Sequence, residues 1–142
     1  MSTPATAGYS AAPLARKLGI KPDSRLALIG APDGFDDTLG DLPLGVHARR
    51  RLGGEPFDVI VAFHERRAAL ERRLPALAAA LDPAGGLWLA WPKRASGVAT
   101  DLTDDVVRTL GLATGLVDNK VCAIDPVWSG LRLVHRLRDR PR

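Results

Sequence analysis

The feature that most constrains the fold is a pair of apolar segments separated by an amphipathic one. Phe57–Phe63 and residues 87–91 are runs of strand length, rich in Val, Ile, Leu and aromatic residues. Residues 65–81 between them place four leucines at helical spacing: Leu70, Leu74, Leu77 and Leu81. Two parallel strands need a helical crossover of about this length, so the pattern predicts a βαβ unit. Pro75 predicts a kink or a restart in the helix, and Asp82–Gly86 predicts a turn.

The flanking segments extend this unit on both sides. Upstream we predict a short helix over 13–19, a buried first strand over 25–30, a helical turn or tight loop over 33–42, and a short strand over 46–52. Downstream, Thr100 is predicted to cap a helix over 101–112. Residues 116–124 and 131–137 then form two strands whose connection is too short for a parallel crossover, so the last strand runs antiparallel.

These elements predict a single α/β domain of the Rossmann-like type. We expect a mostly parallel sheet, helices on both faces, and an antiparallel hairpin at the C-terminus. The chain has 142 residues, which suits one domain and is short for two. The expected division is a flexible N-terminal segment over 1–12, the domain over 13–138 and a basic tail over 139–142.

Composition limits the environment of the protein. Hydrophobic residues make up 46% and charged residues 25% of the chain, as in ordinary globular proteins. No apolar run approaches the roughly 18 residues that a membrane span needs. Cys122 is the single cysteine, which suits a reducing compartment, and the N-terminus lacks the pattern of an export signal. We therefore expect a cytoplasmic protein without a membrane partner.

The formal net charge of +4 raises the question of nucleic-acid binding. Arginines occur in short groups at 49–51, 66–67 and 72–73, and between residues 132 and 142. No aromatic residues interleave with them to stack on bases, so nucleic acid is a disfavoured partner that remains open. A small anionic ligand or a protein partner is equally compatible with this charge.

No catalytic or metal motif is visible. The three histidines do not flank a nucleophile elbow, and no pair of metal ligands has helical or Cys-x-x-Cys spacing. Candidate ligand-binding residues instead follow the predicted parallel strands, because ligands of open α/β sheets bind at the carboxyl ends of strands. The candidates are Gly30, Pro32, Asp33, Gly34, His64, Lys93, Arg94, Ser96 and Gly97.

Each group of candidates has a competing structural interpretation. The loop over 30–34 is in the place of a nucleotide-binding loop, but Pro32 lacks a backbone donor and glycines are few, which favours a structural turn. His64 can be a base or a residue that begins a helix. The loop over 93–97 offers Lys93 and Arg94 for an anion, Ser96 for a hydrogen bond and a flexible Gly97, or is a polar surface loop.

Seven segments in combination resemble an uncharacterised actinobacterial family, the domain of unknown function 3052. These segments are residues 8–10, 13–20, 31–34, 91–98, 100–103, 115–122 and 127–131. The resemblance implies a small cytoplasmic protein with a methyltransferase-like Rossmann fold and no established activity. It supplies no catalytic residues to carry over, and it draws attention to the 91–103 loop and to Trp128, Ser129 and Gly130.

Three functions remain open at this stage. The first, which we favour, is a non-catalytic module that binds a ligand or partner on a degenerate methyltransferase-like fold and needs no cofactor. The second is a divergent methyltransferase that uses S-adenosylmethionine. Such enzymes place a glycine-rich loop after the first strand and an acidic residue after the second, and Glu55 is the nearest acid here. The third is nucleic-acid binding.

Overall fold

The computed structural model describes residues 13–137. The segments expected to be flexible (1–12) and to form a basic tail (139–142) lie outside this range. The described elements are α1 Leu14–Lys17, β1 Arg25–Ile29, α2 Phe35–Leu39, β2 His47–Arg49, β3 Phe57–Phe63, α3 Arg67–Ala79, β4 Leu81–Pro92, a 3₁₀ turn Arg94–Ser96, α4 Asp104–Leu112, β5 Val117–Ala123 and β6 Trp128–Val134.

The strands form one six-stranded sheet in the order β2-β1-β3-β4-β6-β5. Strands β2, β1, β3 and β4 pair in parallel, while β6 is antiparallel to both β4 and β5. The predicted α/β class, the parallel βαβ unit and the C-terminal antiparallel hairpin are therefore confirmed. From β1 the chain proceeds to β2 on one side and then to β3 on the other. The carboxyl ends of β1 and β3 are thus the topological switch point, where such sheets open a crevice.

Helices cover both faces of the sheet because alternate strand residues point to opposite sides. Helices α3 and α4 pack with Ile60 and Trp91 on one face, and α1 and α2 pack with Val61 and Trp88 on the other. Trp88 and Trp91 are three positions apart in β4 and therefore face opposite sides of the sheet. Trp88 is fully buried, and its indole N–H donates to the Leu18 carbonyl at 2.9 Å, which fastens the end of α1 to the sheet.

Two predictions around the crossover are wrong in detail. Helix α3 runs through Pro75 without the restart that was one of the two predicted outcomes. It stops at Ala79, so Leu81 begins β4 rather than completing the leucine stripe. The predicted turn over Asp82–Gly86 lies inside β4. Phe57 pairs with Leu81 and Val59 pairs with Gly86, so the intervening β4 residues form a bulge. The Asp82 carboxylate, which accepts the Ala84 N–H at 2.9 Å, stabilises that bulge locally.

The N-terminal cap of α4 also differs from the sequence prediction. Thr103, not Thr100, caps α4, since its hydroxyl oxygen accepts the Val106 N–H. Asp101 contacts α3 instead: its carboxylate accepts the N–H of Arg67, the first residue of that helix, at 2.7 Å. Thr100 supports the same contact by donating to the Glu65 carbonyl at 2.6 Å. The loop before α4 therefore closes the N-terminus of α3.

The last strand begins three residues earlier than predicted, so Trp128, Ser129 and Gly130 lie in β6. These residues pair with Pro92, Trp91 and Ala90. A Cβ atom on Gly130 would come within 2.9 Å of the Ile124 side chain and 3.1 Å of the Trp88 ring. Packing therefore accounts for this segment. No helix in residues 13–137 is both long and apolar enough to cross a membrane.

Candidate functional site

The carboxyl ends of three adjacent strands bring most of the predicted site residues to one edge of the sheet. Strands β1, β3 and β4 are parallel neighbours, and Gly30, His64 and Lys93 follow them directly. A Cβ atom on Gly30 would lie 2.9 Å from the Phe63 carbonyl oxygen, and the His64 N–H donates to the Ala90 carbonyl at 3.1 Å. The three strand ends are thus in close contact at the switch point.

His64 is buried at the centre of this edge. Only 8% of the residue is exposed, and its Nδ1 atom has no hydrogen-bond partner among the described residues. Burial and, secondarily, the positive charge of Arg73 lower the pKa of His64 to about 4. The imidazole is therefore neutral at physiological pH. The charge of Arg73, a residue of α3, therefore affects the pKa of this imidazole.

The loop after β1 is a tight turn into a helix of five residues. Gly30 and Gly34 have φ angles of 68° and 84°, in the left-handed region that favours glycine. The Phe35 N–H donates to the Pro32 carbonyl at 3.1 Å, which closes the turn. Pro32 is half-buried, whereas Asp33 and Gly34 are exposed. The close approach of β1 to β3 explains the first glycine without reference to a ligand.

The loop after β4 is organised by its own hydrogen bonds. The Ser96 hydroxyl donates to the Lys93 carbonyl at 2.6 Å and accepts the Val98 N–H at 3.2 Å, so it shapes the loop. Gly97 has a φ of 77° and ends the 3₁₀ turn. The Lys93 N–H donates to the Val127 carbonyl at 2.7 Å, while Arg94 is exposed. Ser96 and Gly97 therefore have structural roles in this loop.

Two cavities open near the carboxyl ends of the parallel strands. The smaller, which we call the arginine cavity, has a volume of about 370 Å³ and lies beside the end of β1, against α3. Its lining residues are Ile29, Gly30, Arg50, Arg51, Leu52, Arg73 and Ala76. Three guanidinium groups and no carboxylate therefore line it. Next to it, Arg50 makes an exposed ion pair of 2.6 Å with Asp36 of α2.

The larger cavity, which we call the α4 cavity, has a volume of about 740 Å³ and lies between the end of β4 and the start of α4. Its charged lining residues are Arg94, Asp104, Asp105 and Arg108. Arg108 bonds to Asp104 and, at 2.9 Å, to Asp118 of β5. The hydrogen bond to Asp118 is the main reason that the pKa of Arg108 is raised. Charges of both signs are thus present in equal number, and Asp104 and Arg108 are paired with each other.

The cavities divide the residues predicted from sequence. Gly30 lines the arginine cavity, and Arg94 and Gly97 line the α4 cavity. Pro32, Asp33, Gly34, His64, Lys93 and Ser96 lie at the same edge but line neither. Sequence reasoning missed Arg50, Arg51 and Arg73 as site residues, because it weighed the arginine groups as a surface for nucleic acid. The available signal was that Arg50 and Arg51 directly follow a parallel strand.

Comparison with solved structures identifies the fold. A methyltransferase from Aquifex aeolicus that depends on S-adenosylmethionine superimposes with a TM-score of 0.61 at 13% identity, over 84% of this chain and 86% of that one. The 1,6-didemethyltoxoflavin-N1-methyltransferase of Burkholderia thailandensis gives 0.61 at 16% identity, over 84% and 73%. A putative methyltransferase from Thermoplasma acidophilum gives 0.58 at 10% identity, over 90% and 76%.

The chain has a methyltransferase-like Rossmann fold. At these identities the likeness concerns the fold alone. No protein-family model matches the sequence. No curated protein matches it either.

The residues at the switch point do not fit the arrangement expected for S-adenosylmethionine. An acidic residue after β2 would be expected to hold the ribose, but residues 49–51 are arginines. Glu55, the acid considered from sequence, lies at the opposite edge, since its carbonyl accepts from the guanidinium of Arg25, the first residue of β1. Asp36 is near this edge but is paired with Arg50. No group of three or more possible metal ligands occurs within residues 13–137.

Proposed function

We propose that the protein is a non-catalytic module that binds a small anionic ligand at the carboxyl edge of a degenerate methyltransferase-like sheet. The observation that carries the proposal is the arginine cavity beside the carboxyl end of β1, one of the two strands that form the topological switch point. Open α/β sheets bind ligands at that point. Here three arginines and no carboxylate line the cavity, so its charge is positive.

The arginines of this cavity differ in how far they are already compensated. Arg50 is paired with Asp36. Neither Arg51 nor Arg73 has a hydrogen bond or ion pair to another described residue, and both are exposed. A cavity that gathers like charges favours an anion, because an anion removes their mutual repulsion and makes charge-assisted hydrogen bonds. The ligand supplies the missing negative charge.

The alternative of a divergent methyltransferase draws support from the fold of its structural neighbours, and S-adenosylmethionine is its cofactor. It requires a cofactor with a positive sulfonium to bind beside three arginines. The nucleic-acid alternative requires an extended basic surface with stacking residues. We favour the binding module because an anion in the arginine cavity requires neither a cationic cofactor beside arginines nor a surface of stacking residues. The single cysteine suits the cytoplasm as its compartment.

Calorimetric titration of the full chain at low salt tests the proposal. We expect at least one of sulfate, citrate and phosphate to bind, and Arg51→Gln and Arg73→Gln each to weaken that binding by about 10-fold or more, the effect of one charged hydrogen bond. Arg72→Gln is the matched control, because Arg72 is exposed on the same helix but lines neither cavity. It should leave the affinity unchanged.

Two results would contradict the proposal. One is micromolar binding of S-adenosylmethionine or its demethylated product that the arginine variants do not alter, which would support the divergent methyltransferase. The other is loss of anion binding in Lys93→Ala but not in Arg51→Gln or Arg73→Gln. That result would return the anion site to the loop after β4, where the sequence first suggested it.

A further inference from the structure

We propose that the arginine cavity selects a phosphate monoester in its dianionic form, carried on a small non-aromatic body. This inference rests on the proposed function and specifies its ligand class. It is derived from the charge of the cavity, the geometry of guanidinium groups, the size and walls of the cavity, and the location of the aromatic residues.

The charge of the cavity matches two negative charges. Three arginines line it, and Asp36 compensates one of them through its ion pair with Arg50. Arg51 and Arg73 leave two formal positive charges facing the same space. A phosphate monoester carries about −1.5 to −2 at neutral pH because its second pKa is about 6. A carboxylate or a phosphodiester carries only one negative charge and leaves an arginine uncompensated.

The residue type supports the same ligand. A guanidinium presents planar pairs of N–H donors that match two oxygens of a phosphate, whereas an ammonium acts as a point charge. All the basic residues that line the cavity are arginines. In related α/β sheets an acid after the second strand binds a ribose hydroxyl, and an arginine there accommodates a phosphate. Arg50 and Arg51 occupy that position after β2.

The remaining walls limit what the phosphate is attached to. They are Ile29, Leu52 and Ala76 together with the backbone of Gly30, so they offer no side-chain hydrogen bonds. The volume of about 370 Å³ is at the small end of ligand sites, which span roughly 300–1,000 Å³. Every Trp and Phe residue is buried, so the described surface has no such ring on which a base can stack. The phosphate is thus the recognised group.

His64 provides an internal reporter of this binding. Arg73 contributes to the low pKa of the His64 imidazole, together with burial. A dianion bound at Arg73 offsets that positive charge and should raise the His64 pKa. The imidazole does not need to touch the ligand. Its NMR titration therefore distinguishes binding at Arg73 from binding elsewhere on the basic surface.

The test compares four probes with the full-length chain at low salt: glycerol 2-phosphate, dimethyl phosphate, methanesulfonate and a thymidine tetranucleotide without terminal phosphates. We expect glycerol 2-phosphate to bind about 10-fold more tightly than each singly charged probe, because it adds one charged contact. Its affinity should fall by about 5-fold from pH 7.5 to pH 5, because only about a tenth of the phosphate keeps its second charge at pH 5 and the monoanion binds about 10-fold more weakly. Affinity for methanesulfonate should stay flat over that range, and glycerol 2-phosphate should raise the His64 pKa.

The possible failures are distinguishable. If sulfate or citrate binding depends on Arg51 and Arg73 while glycerol 2-phosphate binds no more tightly than dimethyl phosphate, the phosphate inference is wrong and the proposed function stands. If no anion depends on those arginines, the proposed function is wrong as well. Tighter binding of the tetranucleotide than of glycerol 2-phosphate would overturn the inference in favour of nucleic acid. The His64 titration uses the unmodified protein, so its outcome does not depend on the folding of a variant.

Discussion

The two cavities near the carboxyl ends of the parallel strands differ both in volume and in how far their lining charges are compensated. The α4 cavity is twice as large, but two of its four charged residues, Asp104 and Arg108, are ion-paired. The other two, Arg94 and Asp105, have opposite charges, so no net charge is left uncompensated. The arginine cavity has about half that volume, and two of its three arginines have no described partner. Uncompensated charge, rather than volume, therefore identifies the surface that a ligand would complete.

The same contrast separates residues that maintain the fold from residues that are available for binding. Replacing an ion-paired residue of the α4 cavity, Asp104 or Arg108, should affect stability and leave anion affinity unchanged. Replacing an exposed arginine of the arginine cavity should do the reverse.

The largest expected effect concerns His64, the buried imidazole whose pKa is lowered by burial and by the charge of Arg73. Its pKa is about 4 when folded and about 6.5 when unfolded, so between these pH values the unfolded chain binds the extra proton. The contribution is fully present above pH 6.5 and is lost as pH falls towards 4, by up to about 3 kcal/mol. Urea unfolding from pH 7 to pH 4 should show this slope in the unmodified chain and a shallower one in His64→Leu.

His47→Gln is the control for that measurement, because His47 is exposed on β2. It should leave the pH dependence unchanged. An equal slope in the unmodified chain and in His64→Leu would show that the His64 imidazole is not held neutral by its surroundings.

A smaller effect is expected for Asp101, in the loop beside the α4 cavity. Its carboxylate accepts the first N–H of α3, so Asp101→Ala should lower the free energy of unfolding by about 1 kcal/mol, as for loss of an N-cap. Anion affinity should not change, because Asp101 contacts the first residue of α3 and Arg73 lies more than one helical turn further along that helix. Asp105→Ala is the control, because Asp105 lines the α4 cavity without such a contact. Weakened anion binding in Asp101→Ala would show that the two regions are coupled.

The smallest predicted change is a gain. Asp36→Asn removes the carboxylate that compensates Arg50, and exposed ion pairs contribute only about 0.2–1 kcal/mol. The freed Arg50 should strengthen glycerol 2-phosphate binding by about 2- to 3-fold, which calorimetry resolves. Asp33→Asn removes an exposed carboxylate from the same edge without breaking an ion pair. It should have a smaller effect. A weaker affinity in Asp36→Asn would mean that Asp36 positions Arg50 for the ligand.

The fold was predictable from sequence because its main signals are local and redundant. The apolar runs of β1, β3 and β4, the leucine stripe of α3 and the short connection before β6 each specify one element. Errors occurred where a long-range contact overrides the local pattern. Asp101 caps a helix that begins 34 positions earlier, and the bulge in β4 depends on pairing with Phe57. Neither interaction leaves a signal in nearby residues.

The candidate site was predictable only in its location. Parallel strands place Gly30, His64 and Lys93 at one edge, and the sequence is sufficient to infer that much. Which cations face a shared cavity depends on how α3 crosses the sheet. Arg72 and Arg73 are adjacent in sequence, and only Arg73 lines the arginine cavity. The direction in which each side chain leaves α3, relative to the loop after β2, determines which of the two arginines lines the cavity.

Strand β5 lies at the outer edge of the sheet, and its irregularity affects how the protein behaves when it is concentrated. Asp118 pairs with Leu133 and Lys120 with Arg132, so Asn119 is an extra residue that interrupts the ladder. A straight edge of seven residues would be a template on which further chains could add strands. The extra residue and the charges on either side of it disfavour such growth. Val121 is 46% exposed on this strand, and the charged Lys120 precedes it. The irregularity of β5 thus favours molecules that remain separate at high concentration.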